Sequence, residues 1–242
     1  MRKKLLISGG SGRFASEIIK QNTEFEIYAP NKKDMDITSL DSLNRAVDRF
    51  GPDIFLHPAA LTRPMIKHVQ NPEISIRTNI IGTSNVCLTC MSKNIKLIYI
   101  STDYVYPGVS GNYKETDALL PVNLYAWSKL GGECAIRLYP NSLILRTCMT
   151  ERPFVHQKAL IDSQKSLMYI DEAVSTCFKL KLFDKHGIIN LGGPPTNSYE
   201  FIKDERPNVE KIYRKDITDV EMAADTTMDL TRLLEGSKDN EN

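Results

Sequence analysis

Tyrosine and lysine four residues apart on a helix share a face, and three Tyr-x-x-x-Lys pairs occur in this chain: Tyr28/Lys32, Tyr125/Lys129 and Tyr199/Lys203. A phenol with its ordinary pKa of about 10 exchanges protons poorly at neutral pH, and a nearby ammonium favours the phenolate. Position separates the three pairs. Tyr28/Lys32 leaves a strand-like run at Pro30, so the two side chains need not share a face. Tyr199/Lys203 follows no apolar strand able to bring a hydroxyl to it. Tyr125/Lys129 opens a helical pattern, downstream of the apolar run Ile95–Ser101 that ends in Ser101-Thr102-Asp103. A Thr102 hydroxyl at a strand end can polarise a carbonyl while Tyr125 donates the proton. Thr102, Tyr125 and Lys129 are therefore the candidate catalytic set.

A second signal lies at the start of the chain. After Lys4–Ser8 comes Gly9-Gly10-Ser11-Gly12-Arg13-Phe14-Ala15, a G-x-x-G-x-x-A run that opens a helix. Glycines let backbone turn tightly against a pyrophosphate, whose charge meets the helix N-terminus, and Ala15 is small enough for close helix–strand packing. A dinucleotide is the implied ligand, with nicotinamide supplying a hydride to the carbonyl. Folds that prefer NAD hold the ribose with an acidic residue at the end of the second strand. Here that place reads Ala29-Pro30-Asn31-Lys32-Lys33, so Lys32 points to a 2′-phosphate and to NADP(H) rather than NAD(H).

These groups need a frame, and the pattern supplies one. Strand-like runs at Lys4–Ser8, Phe25–Ala29, Asp53–His57, Ile95–Ser101, Ser142–Arg146 and Ile188–Leu191 alternate with amphipathic stretches. That predicts an α/β fold, a Rossmann-type doubly wound parallel sheet with a small C-terminal substrate-binding region. Helices are expected at Arg13–Gln21, behind a Thr38-x-x-Asp41 capping signal, from about Pro72, from Pro121 to about Leu138, at Asp171–Phe183 and at Tyr199–Lys203. The stretch from Thr102 to Pro121 has no period, and so long a loop in a compact domain is usually functional. Residues 1–147 read as the dinucleotide-binding half and 148–242 as a shortened substrate half, whose strand near 188–192 returns to the sheet. The tail after Leu234 reads as polar and frayed.

The bulk numbers exclude several classes. Net charge is +1, the hydrophobic fraction 41% and the charged fraction 25%, which leaves no bulk attraction to nucleic acid or anionic lipid and no disordered chain. The apolar run after the basic start is too short for a signal peptide, and no stretch is long enough to span a membrane. The cytoplasm is the simplest address. Five cysteines are an odd number. Cys87 and Cys90 form a C-x-x-C without the second ligand pair a zinc site needs, inside a helix rather than at its start. They read as core, and no metal is expected.

Taken together the motifs resemble the extended short-chain dehydrogenases, and more narrowly the dTDP-4-dehydrorhamnose reductase family. The broader likeness rests on Gly9–Ala15, His57-Pro58-Ala59-Ala60, Asn79-Ile-Ile-Gly82-Thr83 and Tyr125-x-x-x-Lys129. The narrower one rests on Ser101 to Gly108, Glu115-Thr116-Asp117, Pro121 to Tyr125 and Leu145-Arg146-Thr147. It runs from Lys4 to about Thr147. It implies reduction of the 4-keto group of a nucleotide-linked 6-deoxy sugar, as in L-rhamnose formation. By resemblance, Thr102 and Tyr125 contact the keto oxygen, and Lys129 holds the nicotinamide ribose and tunes Tyr125. Gly9, Gly12, Arg13 and Phe14 line the pyrophosphate, and Asp36 and Ile37 sit by the adenine. Ala59, Ala60 and Asn79 lie along the cofactor.

Asp103 and Tyr104 stand where related dehydratases carry an acidic residue and related epimerases a cysteine, which favours a reductase. Asp103, Arg146 and Arg152 are expected on the substrate side, Arg152 as a partner for a diphosphate; His156 is a weaker candidate. The resemblance also implies a homodimer through the helices bearing Cys87 and Lys129. The chain is shorter than is common in that family, and the shortfall lies in the substrate half. A second reading therefore stays open: a non-catalytic NADP-binding subunit resembling the regulatory subunit of methionine adenosyltransferase, or another sugar-nucleotide epimerase/reductase.

Overall fold

The computed structural model describes residues 2–238. Its centre is a parallel sheet of seven strands: β1 (Lys4–Ile7), β2 (Glu26–Tyr28), β3 (Ile54–His57), β4 (Lys96–Ile100), β5 (Ser142–Thr150), β6 (Leu167–Tyr169) and β7 (Gly187–Leu191). Their order is β2-β1-β3-β4-β5-β6, with β7 also on β5. β5 is long enough to serve two neighbours. Leu143–Thr147 pairs with β7, and Cys148–Thr150 pairs with β6 further along the same strand. The Rossmann-type α/β class predicted from the strand–helix alternation is the fold observed.

The strands are apolar throughout because both faces are covered. Leu5 and Ile7 point to one side, with Ile18 of α1 (Arg13–Gln21) and Val174 of the helix that follows β6. Leu6, Phe55 and Leu97 point to the other, with Leu43 and Val47 of α2 (Leu40–Phe50). Each such side chain, taken wholly from water, contributes ~2 kcal/mol before entropy is counted.

The cap of α2 differs from the Thr38 signal. Ser39 is the N-cap, its hydroxyl accepting from the Ser42 amide, while Thr38 donates to Asp36 at 2.8 Å. A capping hydroxyl one residue nearer the helix reaches its orphan amides. Past β3, Pro72–Ser75, a π-helical stretch Ile76–Gly82 and α3 (Thr83–Lys93) follow without a break. π-bulges often mark functional positions, and this one carries Asn79. α4 (Leu124–Ile136) starts three residues later than Pro121, because Asn123 caps it by accepting from the Ala126 amide at 2.9 Å. α5 (Ile170–Lys179) ends before Phe183, which lies in a separate 3₁₀ turn.

The second half wraps back over the loop that starts at Thr102. The amides of Ala224 and Asp225 both donate to the Gly108 carbonyl at 2.9 Å, and Tyr113 and Thr227 exchange further bonds with their neighbours. Two short ladders, Lys158–Leu160 with Glu210–Ile212 and Gln164–Lys165 with Thr196–Asn197, complete this lobe. A last helix spans Thr231–Lys238, so the tail expected to fray after Leu234 is helical as far as it is described; residues 239–242 lie outside the described residues. Cys87, Cys90, Cys148 and Cys177 are buried and Cys134 is exposed. Among the described residues no helix is long and apolar enough to cross a membrane.

Candidate active site

Thr102 stands two residues beyond β4, where a parallel strand presents its end to ligands. Its hydroxyl accepts the Tyr104 amide at 3.3 Å and donates to Oδ1 of Asp103 at 3.1 Å. The Tyr125 phenol lies near enough to the same hydroxyl to feel its dipole. Burial, then the Asp103 carboxylate, push that phenol well above its ordinary pKa, with Thr102 opposing. The lowering expected from Lys129 does not appear: Lys129 is not among the groups that set this phenol's pKa. Lys129 is one turn further along α4, buried, its Nζ donating to the Ile100 carbonyl at 2.7 Å and lying 4.1 Å from the centre of the Tyr99 ring. Burial lowers its pKa to about 7, with Glu133 opposing. The structure thus brings Thr102, Tyr125 and Lys129 to one strand end.

Asp103 is buried in a cluster that the sequence did not expose. Its Oδ2 accepts from Thr226, far away in the chain, and lies 3.5 Å from Nζ of Lys165. Lys165 is 5% exposed, and none of its N–H groups meets an acceptor in hydrogen-bonding geometry. Its ammonium sits 3.8 Å from the centre of the Tyr104 ring, and Tyr104 and Asp103 hold its pKa up against the effect of burial. His68 packs edge-on to Tyr125, with ring centres 5.3 Å apart, and its Nε2 is buried without a partner.

Two expected substrate residues are elsewhere. Arg146 is fully buried; its Nη2 is 2.5 Å from Oε1 of Glu133, and its Nη1 donates to Tyr106 at 2.9 Å and to the Glu115 carbonyl at 3.1 Å. It braces α4 against β5 and does not face a substrate. Arg152 lies across the Tyr169 ring among Asp171, Glu172 and Glu205, at 3.6, 3.3 and 3.2 Å, so its charge is already met.

The glycine turn is built by close approach. Gly9 has φ +64°, and a side chain there would crowd Ala59 at 3.1 Å. A Cβ at Gly10 would lie 1.9 Å from the Ala29 carbonyl oxygen, which makes Gly10 the least replaceable of the run, although spacing pointed to Gly9 and Gly12. Gly12 caps α1 without a side-chain partner, and no acidic residue occupies the first turn. A cradle that any Cβ would fill, at an uncapped helix start, fits a dinucleotide pyrophosphate. Phe14 can offer only its backbone there, because its side chain is in the core. Lys32 is exposed; Asp36 is tied to Thr38, and Ile37 is buried with its carbonyl bonded to Asn85 at 3.1 Å.

Asn79 does not lie along the cofactor groove as expected. It is fully buried, bonded to both backbone groups of Leu61 at 2.8 and 2.9 Å and to the Ser128 hydroxyl at 2.8 Å. Ser128 in turn donates to the Tyr125 carbonyl at 2.7 Å, so Asn79 ties the loop carrying Ala59 and Ala60 to the catalytic helix. His57 does the same job at the sheet end, joined to Ser8 at 2.7 Å and to Thr83 at 3.0 Å. Lys165, Thr226, His68 and Glu133 carried no motif; only the folded chain shows their place. Among the described residues no group of three or more His, Cys, Asp or Glu side chains is arranged to hold a metal.

The chain is 33% identical over 156 residues to dTDP-4-dehydrorhamnose reductase of Aggregatibacter actinomycetemcomitans, covering 61% of this chain and 51% of that one. It is 28% identical over 143 residues to methionine adenosyltransferase 2 subunit beta of Xenopus laevis, covering 55% and 42%. It spans about half the length of the curated relatives it matches. The crystal structure of dTDP-4-dehydrorhamnose reductase from Bacillus anthracis, in complex with NADP, superimposes with a TM-score of 0.86 at 23% identity, over 97% of this chain and 92% of that one. The family model described as RmlD substrate binding domain matches residues 3–150, from β1 to the end of β5. That is more than half of the chain, which therefore belongs to the RmlD substrate binding domain family.

Proposed function

We propose that this chain reduces the 4-keto group of a nucleotide-linked 6-deoxy sugar with NADPH. The observation that carries the reading is the approach of Tyr125 to Thr102 at the end of β4, with Lys129 one turn away along α4. The dinucleotide supplies the hydride when bound. Gly9, Gly10 and Gly12 are the residues to hold its pyrophosphate, with Lys32 beside a 2′-phosphate. Thr102 turns its hydroxyl from Asp103 to the keto oxygen. Tyr125, kept protonated at neutral pH, donates its proton to that oxygen as negative charge develops there, the growing basicity of the oxygen rather than the acidity of the phenol driving the transfer. Lys129, held between the Ile100 carbonyl and the Tyr99 ring, compensates the phenolate left behind.

Residues 1–147 form the cofactor half in this reading and 148–242 the substrate half. A cytoplasmic homodimer follows by family resemblance. It is supported by the apolar side chains that α3 and α4 leave exposed, Leu88, Met91, Leu124 and Trp127.

The test is NADPH oxidation followed by absorbance, with a dTDP- or UDP-linked 4-keto-6-deoxy sugar, for the wild type and Tyr125→Phe. Loss of a general acid is expected to slow turnover by roughly 10²–10⁴-fold while NADPH still binds. NADPH binding without turnover in the wild type would favour a regulatory role instead, a reading to which the 28% identity with the Xenopus laevis subunit gives weight.

A further inference from the structure

Glu151 follows β5 directly, and its carboxylate holds arginines from two other loops on the same edge of the sheet. Nη1 of Arg13, the first residue after the glycine turn, lies 2.8 Å from Oε1. Nη1 of Arg63, in the loop after β3, donates to Oε1 and Oε2 at 3.0 and 3.2 Å and stands 3.3 Å from Nε2 of His156. Arg206 comes in from the substrate half, its Nη1 donating to the Phe154 carbonyl. All three guanidinium groups bear on His156: burial first, then Arg63, with Arg13 and Arg206 adding, keep its imidazole below its ordinary pKa against the pull of Glu151.

The charges here do not balance. Two permanent cations share the one Glu151 carboxylate, whereas Arg152, the next residue, lies among three carboxylates. The side chain of Glu151 is only 12% exposed, while those of Arg63 and Arg13 are 39% and 57% exposed and have donors to spare. A guanidinium takes a phosphate through two of its nitrogens, and both Arg63 bonds to Glu151 come from Nη1 alone, which leaves the rest of the fork for another acid. The cluster also lies beyond the carboxyl ends of β1, β3 and β5, the edge at which open α/β sheets take ligands.

We propose that Arg63 and Arg13 form a clasp for a diphosphate, and that Glu151 competes with the phosphoryl oxygens for the same guanidinium donors. The diphosphate belongs either to the dinucleotide or to the nucleotide sugar; naming these two rests on the reductase reading above. Calorimetric titration of NADPH, dTDP and UDP into wild type, Arg63→Gln and Glu151→Gln tests it without requiring turnover. Arg63→Gln is expected to weaken one ligand about tenfold, as loss of a charge-assisted bond does, and Glu151→Gln to tighten that same ligand. A shift in NADPH alone assigns the clasp to the dinucleotide; a shift in dTDP or UDP assigns it to the substrate. Arg13→Gln, on a different element, is expected to move the same ligand, which guards against local misfolding around Arg63. The clasp is overturned if Arg63→Gln leaves all three affinities unchanged, if Glu151→Gln weakens binding, or if the wild type binds none of them. Binding of dTDP or UDP with no turnover of the keto sugar would sink the reductase reading and leave the clasp standing.

Discussion

Nζ of Lys165 stands 3.5 Å from Oδ2 of Asp103, and both side chains are shut away from water. The carboxylate also takes the proton of Thr102, so this pair sets how firmly that hydroxyl is held away from a substrate oxygen. Lys165→Met leaves Asp103 as a buried charge without its cation, and breaking a buried pair costs ~3 kcal/mol or more. Urea unfolding is expected to show that loss. Adding Asp103→Asn to Lys165→Met should return part of it, since neither charge then remains. A midpoint unmoved by Lys165→Met would show that the pair carries no weight.

Glu133 and Arg146 form a second buried pair, with side chains fully inaccessible and a further bond from Ser101 to Oε2 of Glu133 at 2.8 Å. Arg146 cannot shed its charge, so Glu133→Gln strands it. The expected cost is ~3–5 kcal/mol, and Glu133→Leu combined with Arg146→Met should cost less than either change alone. Chemical denaturation of the four proteins decides it; a double variant as weak as the sum of the singles would refute the argument.

His57 gives the fold an acid limit. Burial, followed by the charge of Lys129, lowers its pKa to about 3, against an ordinary 6.5. A depressed folded pKa means that the unfolded chain binds the proton first. The stability from neutral His57 is therefore complete above about pH 6.5 and drains away as pH falls towards 3, at up to ~1.4 kcal/mol per unit. Melting temperatures from pH 7 to 4.5 should fall more steeply for the wild type than for His57→Gln. Parallel slopes would show that His57 does not titrate between the folded and unfolded states.

Much of this protein is readable in one dimension. The period-two and apolar runs mark six of the seven sheet strands, because a strand covered on both faces must be apolar wherever its neighbours lie. β6 escapes notice: Leu167–Tyr169 is three residues long and pairs only with the far end of β5, a partner that local pattern does not reveal. The Gly9–Ala15 turn and the Tyr125/Lys129 spacing are likewise local, since a tight turn and a helical face are each set within a few residues.

What tertiary structure decided is which charges face each other. Arg146 reads as a substrate ligand along the chain, yet β5 and α4 bury it against Glu133. Lys165 looks like an ordinary polar residue in a short strand, yet the fold brings it to Asp103, with Thr226 arriving from the C-terminal segment to the same carboxylate. Arg13, Arg63 and Glu151 come from three separate stretches and meet only at the sheet edge. Turns, caps and helical faces depend on neighbours in sequence, and the residues alone determine them. Ion pairs and burial depend on partners brought together by the crossing of β-strands and helices, and those the three-dimensional fold alone could settle.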